Sequence, residues 1–301
     1  MMKLGMHVDN WRHFDVSYQV PCQFAKDHGL EYVEFGTIDG DYFIQALGYS
    51  PHIPLHSDPL ELKRYLDSLG LKMSQLDAAY PVSSSEGQYR GIGYTLRAIQ
   101  FAKAVGCPCV DTTDGARKPA GYTDEEVLSL IKQYYRVVLE WAERYEIVIN
   151  VEPHGPYTTN PDTMEEILGF FDSPYLRMNL DTGNTFIAGQ DPVQFLRRFR
   201  HKLSHCHIKD VSEGLARAAR GQETGIASSV VAIGEGVTGM VPGERGPGER
   251  GPGETPAPRP DVGEPVLASG ELDPAPSPPV APPGLLAYAR TAAARQALAL
   301  E

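Results

Sequence analysis

Cysteine is scarce in this sequence, tryptophan scarcer still, and basic charge falls well short of acidic. The four cysteines, Cys22, Cys107, Cys109 and Cys206, are too few and too unevenly spaced for a disulfide scaffold. Cys107-Pro108-Cys109 lacks the two-residue gap of a zinc knuckle or redox pair, so reduced, packed thiols are expected. Against 39 Asp and Glu stand 27 Lys and Arg, a net charge of -12. Polyphosphates and anionic membranes need a basic footprint to offset their own charge, so neither nucleic acid nor a membrane is an expected partner. No stretch of about 18 apolar residues occurs, and Met1 to His13 holds no apolar core of a signal peptide, which together lead to the expectation of a cytoplasmic protein. No Gly-x-Gly-x-x-Gly turn or Walker loop stands where a strand-to-helix turn would hold a nucleotide.

What the 301 residues do contain is 42% hydrophobic and 22% charged, enough apolar material for a sizeable core. The length fits two average domains or one α/β barrel of about 250 residues. Composition changes abruptly at about Thr238. Residues 242–283 hold 13 Pro and 7 Gly, with Pro-Gly-Glu-Arg-Gly at 242–246 repeated at 247–251. Such a stretch supports neither helix nor central strand and has too little apolar content to offset the entropy of ordering. The expected organisation is therefore a patterned α/β region over 1–237, a disordered Pro/Gly-rich segment over 238–284, and a short alanine-rich helix over 285–301.

Residues 1–237 alternate. Short apolar runs at Lys3 to Val8, Tyr32 to Phe35, Lys72 to Leu76, Cys107 to Val110, Ile147 to Val151, Leu176 to Leu180 and Leu203 to Ile208 read as buried parallel strands. Between them lie helical patterns. The clearest spans Asp124 to Tyr145, with Val127, Ile131, Tyr134, Val138, Trp141 and Tyr145 at steps of three and four. Another starts at the N-cap Asn160 and Pro161, while Gly29, Gly70 and Gly106 fall where helices should stop. Seven β/α steps result.

Residues two apart on a strand share a face. This pairs Asn150 with Glu152 on the fifth strand, Asn179 with Asp181 on the sixth and His205 with His207 on the seventh. In a barrel these polar sets point inward near the C-terminal ends, where barrel active sites lie. Taken singly, each residue has a plainer reading: Glu152 as partner of a buried Lys or Arg, Asp181 in Asp-Thr-Gly-Asn as organiser of a turn, His207 as a hydrogen-bonded core histidine. Their alignment on three consecutive strands points instead to a divalent cation that offsets clustered, desolvated carboxylates. Mixed carboxylate and imidazole ligation suits manganese, magnesium, cobalt, iron or zinc, with manganese the first choice. His205 lies deeper and reads as a partner behind the ligands. Lys209, His154 and Trp11 are candidate substrate contacts. Glu34, Asp77 and Asp111 also lie near strand ends, and read as well as structural residues as functional ones.

The segments Gly-Leu-Glu-Tyr-Val-Glu-Phe-Gly at 29–36, Asn-Val-Glu-Pro-His-Gly at 150–155, Asn-Leu-Asp-Thr-Gly-Asn at 179–184 and His-Cys-His-Ile-Lys-Asp at 205–210 resemble the xylose isomerase-like TIM barrels. That superfamily includes sugar phosphate isomerases/epimerases, ketose 3-epimerases and inosose dehydratases. The resemblance covers residues 1–237 and implies an α/β fold, the (β/α)8 TIM barrel, with Glu152, Asp181 and His207 as metal ligands and Glu152 also as catalytic base. The family adds a glutamate at the end of an eighth strand. This chain departs there: it enters the Pro/Gly stretch after Ile233-Gly-Glu-Gly-Val, and Glu235 stands in the wrong kind of segment to be that ligand. The expected fold is accordingly a barrel incomplete at its eighth unit, with an open edge that would allow a homo-oligomer. So abrupt a change inside a domain is what a shifted reading frame would produce, and translating the gene past codon 237 in the other two frames tests it.

The expected function is a metal-dependent isomerase or epimerase acting on a sugar or sugar derivative by proton abstraction next to a carbonyl, through an enediolate. The alternatives are a dehydratase or lyase on a keto-sugar or 3-oxo-glycoside, and a non-catalytic sugar-binding relative that lost its eighth strand.

Overall fold

A computed structural model describes residues 3–11, 16–39, 52–115, 117–219, 230–231 and 233–238. The segments expected to be a disordered linker, apart from Thr238, and a short helix lie outside the described residues.

All seven expected strands form: β1 (Gly5–His7), β2 (Tyr32–Ile38), β3 (Lys72–Pro81), β4 (Cys109–Thr113), β5 (Val148–Val151), β6 (Leu176–Asp181) and β7 (Leu203–His207). Each pairs in parallel with its neighbour in sequence, in the order β1 to β7. Helices α1 (Gln19–Asp27), α2 (Pro59–Leu69), α3 (Ile92–Val105), α4 (Asp124–Tyr145), α5 (Pro161–Gly169), α6 (Thr182–Ile187) and α7 (Pro192–Phe199) fill the connections. A two-residue strand, Ile53–Pro54, also pairs with the end of β2.

The helix boundaries follow local chemistry. Thr123 and Glu126 form a reciprocal capping box that starts α4, and its buried stripe is Val127, Ile131, Tyr134, Val138 and Ala142. The Asn160 side chain accepts the Asp162 amide at 2.9 Å, placing Pro161 at the first helical position of α5. Gly70 and Gly106 end α2 and α3 at φ 73° and 84°, a left-handed backbone that a side chain would strain. Strand ends are less regular than the apolar runs suggest. β3 continues to Pro81 because Ala78 and Tyr80 remain buried beyond the polar residue Asp77. β1 stops at His7, where a short 3-10 turn, Val8–Trp11, begins.

The sheet curls until its first and last strands meet at their C-terminal ends, where the rings of His7 and His207 lie 5.5 Å apart, edge to face. The apolar partners Ile149, Val151, Met178 and Leu180 face outward into the core beneath the helices. Among the described residues β7 has a partner only on its β6 side. Its residues are half-buried or exposed, whereas all of β4 is buried.

Beyond β7 the chain returns to the barrel. Asp210 is buried. Its carboxylate accepts the amides of Gly234, Gly236 and Thr238 at 2.8, 3.0 and 3.1 Å. This cradle ties residues 233–238 to the end of β7 and leaves Glu235 exposed.

Candidate functional site

The polar side chains of the strand ends converge on His207. Its Nδ1 lies 2.8 Å from Glu152 Oε1 and 3.6 Å from Asp181 Oδ2. Its Nε2 lies 2.9 and 3.0 Å from the two carboxylate oxygens of Glu34. Lys209 Nζ stands 2.6 Å from Asp181 Oδ2, so the lysine pairs with a site carboxylate rather than with Asp210. Glu152 and Asp181 thus each reach His207, and Lys209 reaches Asp181, from three consecutive β/α units.

His205 lies one inward position deeper. Its Nδ1 is 3.2 Å from Asn179 Oδ1 and its Nε2 3.6 Å from Glu34 Oε2. Burial pulls its pKa down to about 4, so it is neutral near neutral pH. His154 follows Glu152 in the loop after β5, half-buried, with its amide donating to Thr158 Oγ1 at 2.9 Å. Trp11 is 3% exposed and packs edge to face on Phe24 in the apolar core.

Sequence reasoning left Glu34, Asp77 and Asp111 undecided and passed over His7, yet all four border the cluster. His7 Nε2 is 3.7 Å from Glu34 and 3.9 Å from Asp77. Asp111 Oδ2 accepts from Asn179 Nδ2 at 3.3 Å, while its Oδ1 is buried without a hydrogen-bond partner. The signal that would have found them is parity. Glu34 and His7 pair in register across β1 and β2, as Asp77 and Asp111 do across β3 and β4.

Five carboxylates, Glu34, Asp77, Asp111, Glu152 and Asp181, therefore share one end of the barrel with one lysine and three imidazoles. Burial and the neighbouring Glu152 push Asp77 up to about 8, and the same two causes raise Asp111 well above the ordinary carboxylate value. Burial works against ionisation of Asp181 too, but Lys209 and His207 hold it well below its usual value. Burial opposes a charge on His207 and is outweighed by Glu34 and the other carboxylates, which raise it well above 6.5.

Such a cluster fits a divalent cation. The ligand-type atoms of Asp111, Glu152 and His207 lie within 4.8 Å of one another, and so do those of His7, Glu34 and His207. The unpartnered Asp111 oxygen adds a further hard donor. Carboxylate oxygen with imidazole nitrogen is the donor set of manganese, magnesium, cobalt, iron and zinc sites.

The loop that carries His154 is clamped to the loop after β4. The Asp114 carboxylate accepts the amides of Gly155 and Tyr157 at 2.9 and 2.8 Å and the Thr158 hydroxyl at 2.7 Å. A Cβ on Gly155 would sit 1.6 Å from the Gly115 carbonyl oxygen and 2.6 Å from Asp114 Oδ1, so no side chain fits without breaking the clamp. Gly155→Ala is expected to cost about 3 kcal/mol, the upper end for overpacking. The urea midpoint of the purified variant reads this directly, and an unchanged midpoint would show that the clamp is slack.

Comparison with known proteins agrees with this architecture. Over 214 residues the chain is 24% identical to the 3-dehydroshikimate dehydratase of Bacillus anthracis, covering 70% of this chain and 72% of that protein. Among solved structures, the IOLI protein with a bound zinc atom superposes with a TM-score of 0.61 at 16% identity, over 78% of this chain and 80% of that one. A D-tagatose 3-epimerase-like protein superposes at 0.59 and 18% identity, over 78% and 82%. At these identities the structural likeness shows the fold alone. No helix of the described residues is long and apolar enough to cross a membrane. The family model of the xylose isomerase-like TIM barrel matches residues 22–242, and with seven parallel β/α units curled around one polar mouth the chain belongs to that family.

Proposed function

We propose that this chain is a divalent-metal-dependent enzyme that removes the proton next to the carbonyl of a sugar or related hydroxy ketone, leading to isomerisation or epimerisation. The observation that carries the proposal is the meeting of Glu152 and Asp181 on one nitrogen of His207, with Lys209 on Asp181. Glu152, Asp181 and His207 are the residues that would hold the cation, which manganese suits first and zinc next. The cation would supply stabilisation of the negative charge that develops on oxygen as the proton leaves.

The remaining work falls to side chains of the chain itself. Glu152 takes the carbon-bound proton onto a carboxylate oxygen. Lys209, at the mouth and 28% exposed, donates hydrogen bonds to a substrate oxygen while still facing Asp181. His154, two residues after Glu152, borders the same opening. These side chains meet at the C-terminal ends of the strands, the end at which barrels of this kind admit substrate.

A second reading is favoured by the 3-dehydroshikimate dehydratase relative. If a hydroxyl stands one carbon beyond the abstracted proton, the electron pair left by the same deprotonation expels it, the hydroxyl leaves as water with the proton that Glu152 took, and the product is an unsaturated ketone. Both readings share the proton abstraction and differ in what leaves.

The test is exchange of carbon-bound hydrogen in deuterated water with manganese or zinc present, across a panel of ketoses and 3-dehydroshikimate. Deuterium in recovered substrate or in an epimer supports the first reading, and an unsaturated product with release of water supports the second. No exchange and no product with any member of the panel would overturn both.

A further inference from the structure

His207 is gripped from both sides, by Glu152 and Asp181 at Nδ1 and by Glu34 at Nε2. Glu34 is 3% exposed and also accepts from Gln75 Nε2 at 2.9 Å. Gln75 Oε1 accepts in turn from Asn150 Nδ2, and Asn150 Oδ1 from the hydroxyl of Ser204. Gln75 and Asn150 are both fully buried. The result is a hydrogen-bond chain across the barrel interior, from Ser204 on β7 through Asn150 on β5 and Gln75 on β3 to Glu34 on β2, ending on the His207 ring.

The direction of this chain follows from its end group. An ionised carboxylate only accepts. Gln75 must therefore present its NH2 to Glu34 and its oxygen to Asn150, Asn150 must give its NH2 to Gln75 and its oxygen to Ser204, and the Ser204 hydroxyl donates. The same carboxylate accepts from His207 Nε2, while Glu152 accepts from Nδ1, so a cation arriving beside Glu152 and Asp181 would displace the Nδ1 proton and the one that remains stays on Nε2, held by Glu34. We propose that Glu34, held by the Gln75, Asn150 and Ser204 chain, is a positioning residue that fixes the His207 tautomer and ring plane for cation binding through Nδ1. This rests on the reading that Glu152, Asp181 and His207 hold the cation. A carboxylate behind a ligating histidine raises ligand basicity as well as fixing its orientation.

The directional logic supplies its own control. In Glu34→Gln the Gln75 NH2, with the chain running as in the parent, claims the oxygen of the new amide and turns its NH2 toward His207, which would leave Nε2 bare. Adding Gln75→Glu places a carboxylate behind it that must be given the NH2, so the amide oxygen is forced back onto His207. Zinc affinity of the metal-free protein, measured by calorimetry, is expected to fall roughly 10- to 100-fold in Glu34→Gln and to recover most of that loss in the double variant. A role in folding alone would make the double variant no better than the single one. Affinity within twofold of the parent in Glu34→Gln, or no recovery in a folded double variant, would overturn the proposal. Nitrogen-15 spectra of the zinc-loaded parent decide independently of whether the variants fold: zinc on Nδ1 with a proton on Nε2 supports it, and a bare or zinc-bound Nε2 overturns it. They also separate the two claims. If zinc does not bind the parent at all, the metal reading falls, while loss of the Nε2 proton in metal-free Glu34→Gln but not in the metal-free parent still reports on Glu34.

Discussion

Glutamine in place of Glu152 is expected to lower kcat by roughly 10³-fold with little loss of folded protein, within the range that positioned acid–base groups supply. The exchange keeps the shape of the side chain and its reach to His207 Nδ1, 2.8 Å away, but the amide cannot take a proton from carbon. It also removes one negative charge from the cation's surroundings, so a weaker metal affinity should accompany the loss of turnover. Stability should move the other way. Glu152 is the leading charge that, with burial, raises Asp77 and Asp111, so its neutralisation relieves repulsion in the metal-free protein. The metal-free variant is therefore expected to unfold no earlier than the metal-free parent. Steady-state rates and deuterium exchange at saturating manganese check the first part, and thermal unfolding of the chelated proteins checks the second. Exchange at the parental rate in the variant would remove Glu152 from the chemistry and move the base to another carboxylate of the cluster.

Most of the barrel was legible because buried parallel strands and amphipathic helices leave opposite periodicities. The long helix α4 came out residue for residue, since Thr123 and Glu126 cap one end and the apolar stripe runs unbroken to the other. Glu152, Asp181 and His207 were legible for a related reason: each is polar on a strand whose outward neighbours are apolar, and the three strands are consecutive. The other half of the site was harder. Glu34, Asp77 and Asp111 alternate in the same way, but nothing in the sequence says that the sheet closes far enough to bring the Glu34 carboxylate on β2 within 3 Å of the His207 ring on β7. That closure is a property of the whole sheet. Asp210 shows the converse limit: beside Lys209 it reads as half of an ion pair, yet its partners are three amides more than twenty residues away. The Gln75 and Asn150 chain was invisible for the same reason, because two neutral amides at strand interiors carry no signal until the strands are placed around a common axis.

Removing divalent cations should have the largest effect of all, abolishing turnover and lowering thermal stability together. The reason is electrostatic. Asp77, Asp111 and Glu152 approach one another at a buried mouth where Lys209 and His207 supply compensating positive charge, and burial already drives Asp77 up to about 8. Without a cation, some of these groups must hold protons or repel one another, and both options disfavour the folded state relative to a solvated chain. A cation that binds the native protein alone stabilises it by about 2.7 kcal/mol at a hundredfold excess over its dissociation constant. For a body of this size that corresponds to a rise in Tm of roughly 5–10 °C. Exhaustive dialysis against a chelator should therefore lower Tm by that amount and leave no measurable exchange, and adding manganese or zinc back should restore both. The two readouts must return at the same cation concentration, because the site that stabilises is the site that reacts. Recovery of stability at a concentration far from that which recovers turnover would place the stabilising cation elsewhere. A chelated protein that keeps its Tm and its exchange rate would mean that protons, shared among these carboxylates and His207, are all the compensation the cluster needs.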